Sequence, residues 1–161
     1  MKKAIFLDRD GVINVLIKRD GGKYSPQKYK DFRLFPYIKK TMKLIKEKGY
    51  LIIVVTNQPD LENNKMEYKE YDKMCDRLYD IGVDVVLTCP HDKTRQCKCR
   101  KPKPYLINNI CKKMNIDRNK SAMFGDKGSD IETAVRAKLG FSSTSNNLHK
   151  NIINFLRMRG E

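Results

Sequence analysis

The sequence predicts an α/β fold built on a parallel sheet of βαβ units, and three observations carry that expectation. Short apolar runs recur along the chain, helical patterns lie between them, and each main run ends in polar or acidic residues. Unbroken apolar runs suit strands buried on both faces, and their alternation with helices is the pattern of βαβ units.

Ala4–Leu7 is the first run and leads into Asp8 and Asp10. A helical pattern follows over Tyr37–Lys48, closed by Gly49, and leads to a second strand over Leu51–Val55. Next come a helix over Met66–Ile81, closed by Gly82, a third strand over Val83–Leu87 and a helix over Tyr105–Met114. The fourth strand, Ser121–Phe124, precedes a helix over Asp130–Lys138 that Gly140 closes. A short fifth strand at Phe141–Thr144 and a terminal helix at Leu148–Arg157 complete the unit. No repeat, low-complexity tract or linker divides the chain, so residues 1–161 are expected to form a single domain.

Composition narrows the class. A hydrophobic share of 40% with 33% charged residues suits a globular fold. The apolar stretch Tyr50–Val55 is far too short to cross a bilayer, and MKKAIFLD meets an acid too early for a signal peptide. A cytoplasmic protein with no membrane partner is expected. Five cysteines, three of them between Cys89 and Cys99, suit a reducing compartment and metal ligation. The net charge of +15 admits a polyanionic partner, but the lysines are scattered over helical faces without interleaved aromatics. That weighs against nucleic acid and leaves a phosphorylated metabolite as the favoured partner.

In a parallel sheet, ligands gather at the carboxyl ends of the strands. Those ends carry Asp8 and Asp10, then Thr56 and Asn57, then Asp126 and Lys127. Two carboxylates beside an apolar strand repel and resist burial unless a cation or a reaction needs them. Asp8, Asp10 and Asp126 offer the oxygen donors that Mg²⁺ prefers, with one carboxylate free to attack phosphorus and a second to move the proton. The proton-donating role expects Asp10 to have a raised pKa. Thr56 and Lys101 are candidates to hold phosphate oxygens.

The segment TCPHDKTRQCKCRKPKP, residues 88–104, brings together Cys89, His91, Cys97 and Cys99. Three thiolates and one imidazole make a closed tetrahedral Zn²⁺ set with no open position, hence a structural zinc loop that holds Arg100 and Lys101 beside the site. Cys75 and Cys111 read as buried apolar-like side chains and His149 as a surface residue. Tyr24, Tyr29 and Phe32 either line a loop over the site or anchor it.

Taken together, FLDRDGVIN, VVTNQ, CPH with CKCRKPKP, and GDKGSDIETA resemble, in that order, the haloacid dehalogenase superfamily of aspartyl phosphatases. The likeness is greatest to its branch of heptose-bisphosphate and histidinol phosphatases. It implies a Rossmann-like core without a large cap domain, Asp8 as the nucleophile that becomes phosphoaspartate, and Asp10 as general acid/base. It also implies Mg²⁺ on Asp8, the Asp10 backbone carbonyl and Asp126, phosphate on Thr56 and Lys101, and Asn57 against substrate. Arg100 and Lys127 would meet the distal part of the substrate, and Zn²⁺ would sit on Cys89, His91, Cys97 and Cys99.

The chain departs from the family in TNQPDLENNK and in VLIKRDGGKYSPQKYKD, the stretch before Phe32. The expected function is a Mg²⁺-dependent phosphomonoesterase acting on a small phosphorylated sugar, with a heptose 1,7-bisphosphate as first choice. Histidinol phosphate, a nucleic-acid 3′-phosphate and a non-catalytic zinc-stiffened binding role are the alternatives, and the oligomeric state is left open.

Overall fold

A computed structural model describes residues 1–161. In chain order the strands are β1 (Lys3–Leu7), β2 (Ile17–Arg19), β3 (Gly22–Tyr24), β4 (Tyr50–Asn57), β5 (Val85–Cys89), β6 (Ala122–Gly125) and β7 (Phe141–Thr144). The α-helices are α1 (Ile38–Glu47), α2 (Pro59–Glu62), α3 (Tyr68–Asp80), α4 (Tyr105–Met114), α5 (Gly128–Arg136) and α6 (Leu148–Met158).

Five strands form one sheet in the order β5-β4-β1-β6-β7, every pair parallel. Alternation along the strands feeds two cores. Ile5, Leu7, Ile52, Val54, Ala122 and Phe124 face one layer, where side chains of α1, α3 and α6 cover them. Ala4, Phe6, Ile53, Val55 and Met123 face the other, against α4 and α5. β1 has β4 on one side and β6 on the other, so its carboxyl end is the switch point where a parallel sheet opens a crevice.

The expected elements are present with shifted ends. The third strand begins at Val85 and is only half-buried, because β5 lies at the sheet edge. Asp84, expected inside that strand, instead accepts from the Ile52 amide at 2.8 Å and pairs with Lys46 at 2.6 Å. The helix expected from Met66 begins at Tyr68, and α2 precedes it, with Pro59 in its first turn. The helix expected from Asp130 starts at Gly128 and ends at Arg136. Lys138, at φ 55°, rather than Gly140, takes the left-handed turn after it. Gly140 instead makes room for a neighbour, since a Cβ there would lie 2.1 Å from the Asn119 carbonyl oxygen.

Sequence periodicity did not reveal the antiparallel hairpin β2–β3, whose strands are three residues each and mostly exposed. The excursion that holds it is joined at its base by Val15 donating to the Arg33 carbonyl at 2.8 Å and Phe35 to the Ile13 carbonyl at 3.1 Å.

On one side of the sheet the aromatic cluster is built around Phe155, 1% exposed, with ring centroids 5.1 Å from Phe141, 5.9 Å from Phe124 and 6.0 Å from Tyr50. Phe155→Ala is expected to destabilise the chain by about 3–5 kcal/mol, read as a lower urea midpoint with an unchanged slope.

Candidate active site

β1 runs into Asp8, Arg9 and Asp10, all buried. Gly11 then turns the chain at φ 85°, and a Cβ there would stand 2.6 Å from Asp126 Oδ2, so glycine is what lets the β1 and β6 ends close on each other. Gly125 does the same for α5, whose Asp130 Cβ would lie 2.2 Å from an added Cβ.

Two groups of charge result. In the first, carboxylate oxygens of Asp8, Asp126 and Asp130 lie within 4.8 Å of one another. Lys101, itself buried, places Nζ 2.7 Å from Asp8 Oδ1 and 2.7 Å from Asp130 Oδ1. Burial drives the Asp8 carboxyl up to about 6 in spite of Lys101, and Asp130 adds to the rise. Burial alone would lower the Lys101 pKa, but Asp8 and Asp130 outweigh it and hold the ammonium charged.

In the second group Arg9, with no exposed surface, donates from Nε at 3.1 Å and Nη2 at 3.0 Å to Asp10 Oδ1, and from Nη2 to Oδ2 at 2.9 Å. Asn14 donates to Oδ1 at 3.0 Å and Gln58 to Oδ2 at 2.7 Å. The Arg9 guanidinium stacks between Phe32 and Tyr71, 5.5 Å from each ring centroid. Phe32 is thus an anchor, while Tyr24 lies exposed under Arg19 and Tyr29 ties its amide to Glu70.

This arrangement corrects two expectations. Asp10 does not have a raised pKa: burial pushes it up, but the Arg9 charge and the donors of Arg9, Asn14 and Gln58 carry it below the usual carboxylate value. Nor does the Asp10 side chain join the acidic cluster. Asp130 takes that place, four residues after Asp126 in GDKGSD, with Asp126 just ahead of the N-cap of α5 and Asp130 in its first turn.

The other expected residues fall as follows. Thr56 is buried at the end of β4 and accepts from Gln58 Nε2 at 2.9 Å. Asn57 engages the Lys101 backbone with both amide atoms, at 3.1 and 3.3 Å, and so positions Lys101 rather than presenting its amide to a ligand. Arg100 donates to the His91 carbonyl at 3.0 Å, and Lys127 is exposed at the N-cap of α5. Gln58 and Asp130 were missed by sequence reading. Gln58 closes the VVTNQ motif, but its contact with Asp10, 48 residues away, is made only by the fold.

Two groups of side chains have the chemistry to hold a metal ion. For a divalent cation, three carboxylates against one ammonium leave two negative charges in excess, and the buried Asp126 Oδ1 has no hydrogen-bond partner. For zinc, the ligand atoms of Cys89, His91, Cys97 and Cys99 lie within 4.8 Å of one another. Cys89 Sγ is 3.7 Å from Cys97 Sγ and 3.6 Å from His91 Nδ1, and His91 Nδ1 is 3.2 Å from Cys99 Sγ. Tetrahedral zinc bonds separate such donors by about 3.5–3.8 Å, which two of the three spacings meet and the third approaches.

The loop has no regular element between Cys89 and Tyr105. α2 braces it: Glu62 accepts from the Asp92 amide at 2.5 Å and from Arg95 at 2.6 Å, and Asn63 donates to Asp92 at 3.1 Å.

Comparison with known proteins places this site in context. A family model described as Polynucleotide kinase 3 phosphatase matches residues 3–156. The D-glycero-beta-D-manno-heptose-1,7-bisphosphate 7-phosphatase of Haemophilus ducreyi is 34% identical over 149 residues, 84% of this chain and 79% of that one. The D-glycero-alpha-D-manno-heptose-1,7-bisphosphate 7-phosphatase of Photorhabdus laumondii is 35% identical over 148 residues, 84% of this chain and 78% of that one. The D,D-heptose 1.7-bisphosphate phosphatase of B. bronchiseptica, solved in complex with magnesium and phosphate, superposes with a TM-score of 0.81 at 22% identity. It covers 97% of this chain and 99% of its own.

Removing the partner of a buried charge is costly, so Arg9→Met is expected to destabilise the chain by about 3–5 kcal/mol. Arg9→Met/Asp10→Asn should recover part of that loss. Denaturant titration of both variants checks the pair.

Proposed function

The chain belongs to the Polynucleotide kinase 3 phosphatase family and is a phosphatase with the haloacid dehalogenase fold, and on that premise we propose that it removes the 7-phosphate of a D-glycero-D-manno-heptose 1,7-bisphosphate in the cytoplasm. The observation that carries the reading is buried Asp8, held by Lys101 at the switch point of the sheet beside carboxylate charge that no side chain offsets.

In this reading Asp8 attacks phosphorus, the bond from phosphorus to the sugar oxygen breaks, and that oxygen leaves with a proton from Asp10. Water then attacks the phosphoaspartate, Asp10 takes the proton, and inorganic phosphate departs as Asp8 is restored. Lys101 and Thr56 hold the phosphoryl oxygens, and Asp130 and Asn57 hold Lys101. Asp10 as it stands is an acceptor on both oxygens, so serving the sugar oxygen requires its carboxyl to turn off Arg9 and carry a proton. Arg9, Asn14 and Gln58 define its resting position.

Mg²⁺ would be held by Asp8, Asp126 and the Asp10 backbone carbonyl, where it neutralises charge and polarises phosphate. Zn²⁺ on Cys89, His91, Cys97 and Cys99 would stiffen the loop that delivers Lys101. Arg100 and Lys127 remain candidates for contact with the substrate beyond the reacting phosphate.

A 3′-phosphorylated nucleic acid is the second reading, favoured by the net charge of +15. It would show turnover of a 3′-phosphorylated oligonucleotide that falls steeply with salt.

Free phosphate released from heptose 1,7-bisphosphate is the test. Asp8→Asn is expected to abolish release while far-UV circular dichroism stays unchanged, and omission of Mg²⁺ should silence the native chain reversibly. Undiminished release from Asp8→Asn would end the proposal. Elemental analysis should find zinc near one per chain, lost in Cys97→Ser/Cys99→Ser together with a lower melting temperature.

A further inference from the structure

The hairpin β2–β3 lies in the excursion that leaves the body at Val15 and returns at Arg33. Its strands pair Ile17 with Tyr24, Lys18 with Lys23 and Arg19 with Gly22, so Lys18 and Lys23 stand directly opposite on one face. Like charges placed so repel, and a two-stranded ribbon has little stability of its own to spend on them. Neither lysine has a carboxylate within ion-pair distance; Asp20, in the intervening turn, pairs with Arg19 at 3.8 Å.

Both lysines line a cavity of about 530 Å³ that reaches Gly11 and Asp126 at the acidic cluster. That volume suits a small metabolite. Leu16 and Phe35 give it an apolar surface, and Thr144 and Asn146 supply a polar wall. One cavity therefore brings together the Asp126 side of the acidic cluster, a surface suited to sugar carbons and hydroxyls, and two unpaired ammonium groups. Neither Arg100 nor Lys127 lines it.

We propose that Lys18 and Lys23 together grip the second, non-reacting phosphate of a sugar bisphosphate and set the preference for a bisphosphate over a monophosphate. The proposal rests on the phosphatase reading above and adds to it the residues that select the substrate. Two ammonium groups facing each other gain from an anion between them, whereas alone they weaken the hairpin.

The test compares heptose 1,7-bisphosphate with heptose 7-phosphate for three proteins: the native chain, Lys18→Ala/Lys23→Ala, and Lys112→Ala/Lys113→Ala. The last removes the same charge from exposed positions on α4. Loss of two ion pairs should raise the bisphosphate KM about tenfold in the hairpin variant, with kcat and the monophosphate KM moving far less. The α4 variant should keep the native preference. An unchanged bisphosphate KM in the hairpin variant, or an equal rise in the α4 variant, overturns the proposal and leaves the phosphatase reading standing. A native chain that turns over neither sugar phosphate overturns both.

Discussion

Everything at the catalytic end of this molecule depends on neutralising carboxylates where the sheet would bury them. Asp8 and Asp10 follow β1, Asp126 follows its neighbour β6, Asp130 lies in the first turn of α5, and three of the four are almost wholly buried. Two cations inside the protein divide the work. Arg9, held between two aromatic rings, gives its charge to Asp10 alone through three hydrogen bonds, while Lys101 is shared between Asp8 and Asp130. The division leaves Asp126 with an unpaired buried oxygen, which is where a divalent ion fits the charge.

Much of the remaining structure serves the delivery of Lys101, which comes from a segment with no core of its own. Asn57 at the end of β4 clamps its backbone, α2 braces the loop through Glu62, and the Cys89–His91–Cys97–Cys99 cluster gathers the loop onto itself. TNQPDLENNK, which spans the end of β4 and all of α2, is therefore an outer brace of the loop that delivers Lys101.

The sheet was legible because strands covered on both faces must be apolar throughout, and Ala4–Leu7 and Leu51–Val55 are. The acidic site was legible because Asp8 and Asp10 have no place at a strand end without a purpose. Other features were set by partners distant in sequence, and no window of residues contains them. Gln58 acquires meaning only between Thr56 and Asp10, and Arg9 reads as an ordinary surface charge until Phe32 and Tyr71 enclose it. The pKa of Asp10 lies on the other side of the usual carboxylate value from expectation because its neighbour in the chain, Arg9, folds back onto its carboxylate. The hairpin was missed because strands of three residues, mostly exposed, carry no burial pattern.

The excursion that carries that hairpin is cinched where it leaves the body, by the pairing of Val15 with Arg33 and of Ile13 with Phe35. Such a collar separates two inheritances. Residues outside it answer to the rigid chemistry of phosphorus, whereas those inside can lengthen, shorten or change sign at little more than the entropy of a longer loop. A lineage could therefore exchange one metabolite for another by rewriting a tassel of surface chain, with the acid-bearing frame left untouched.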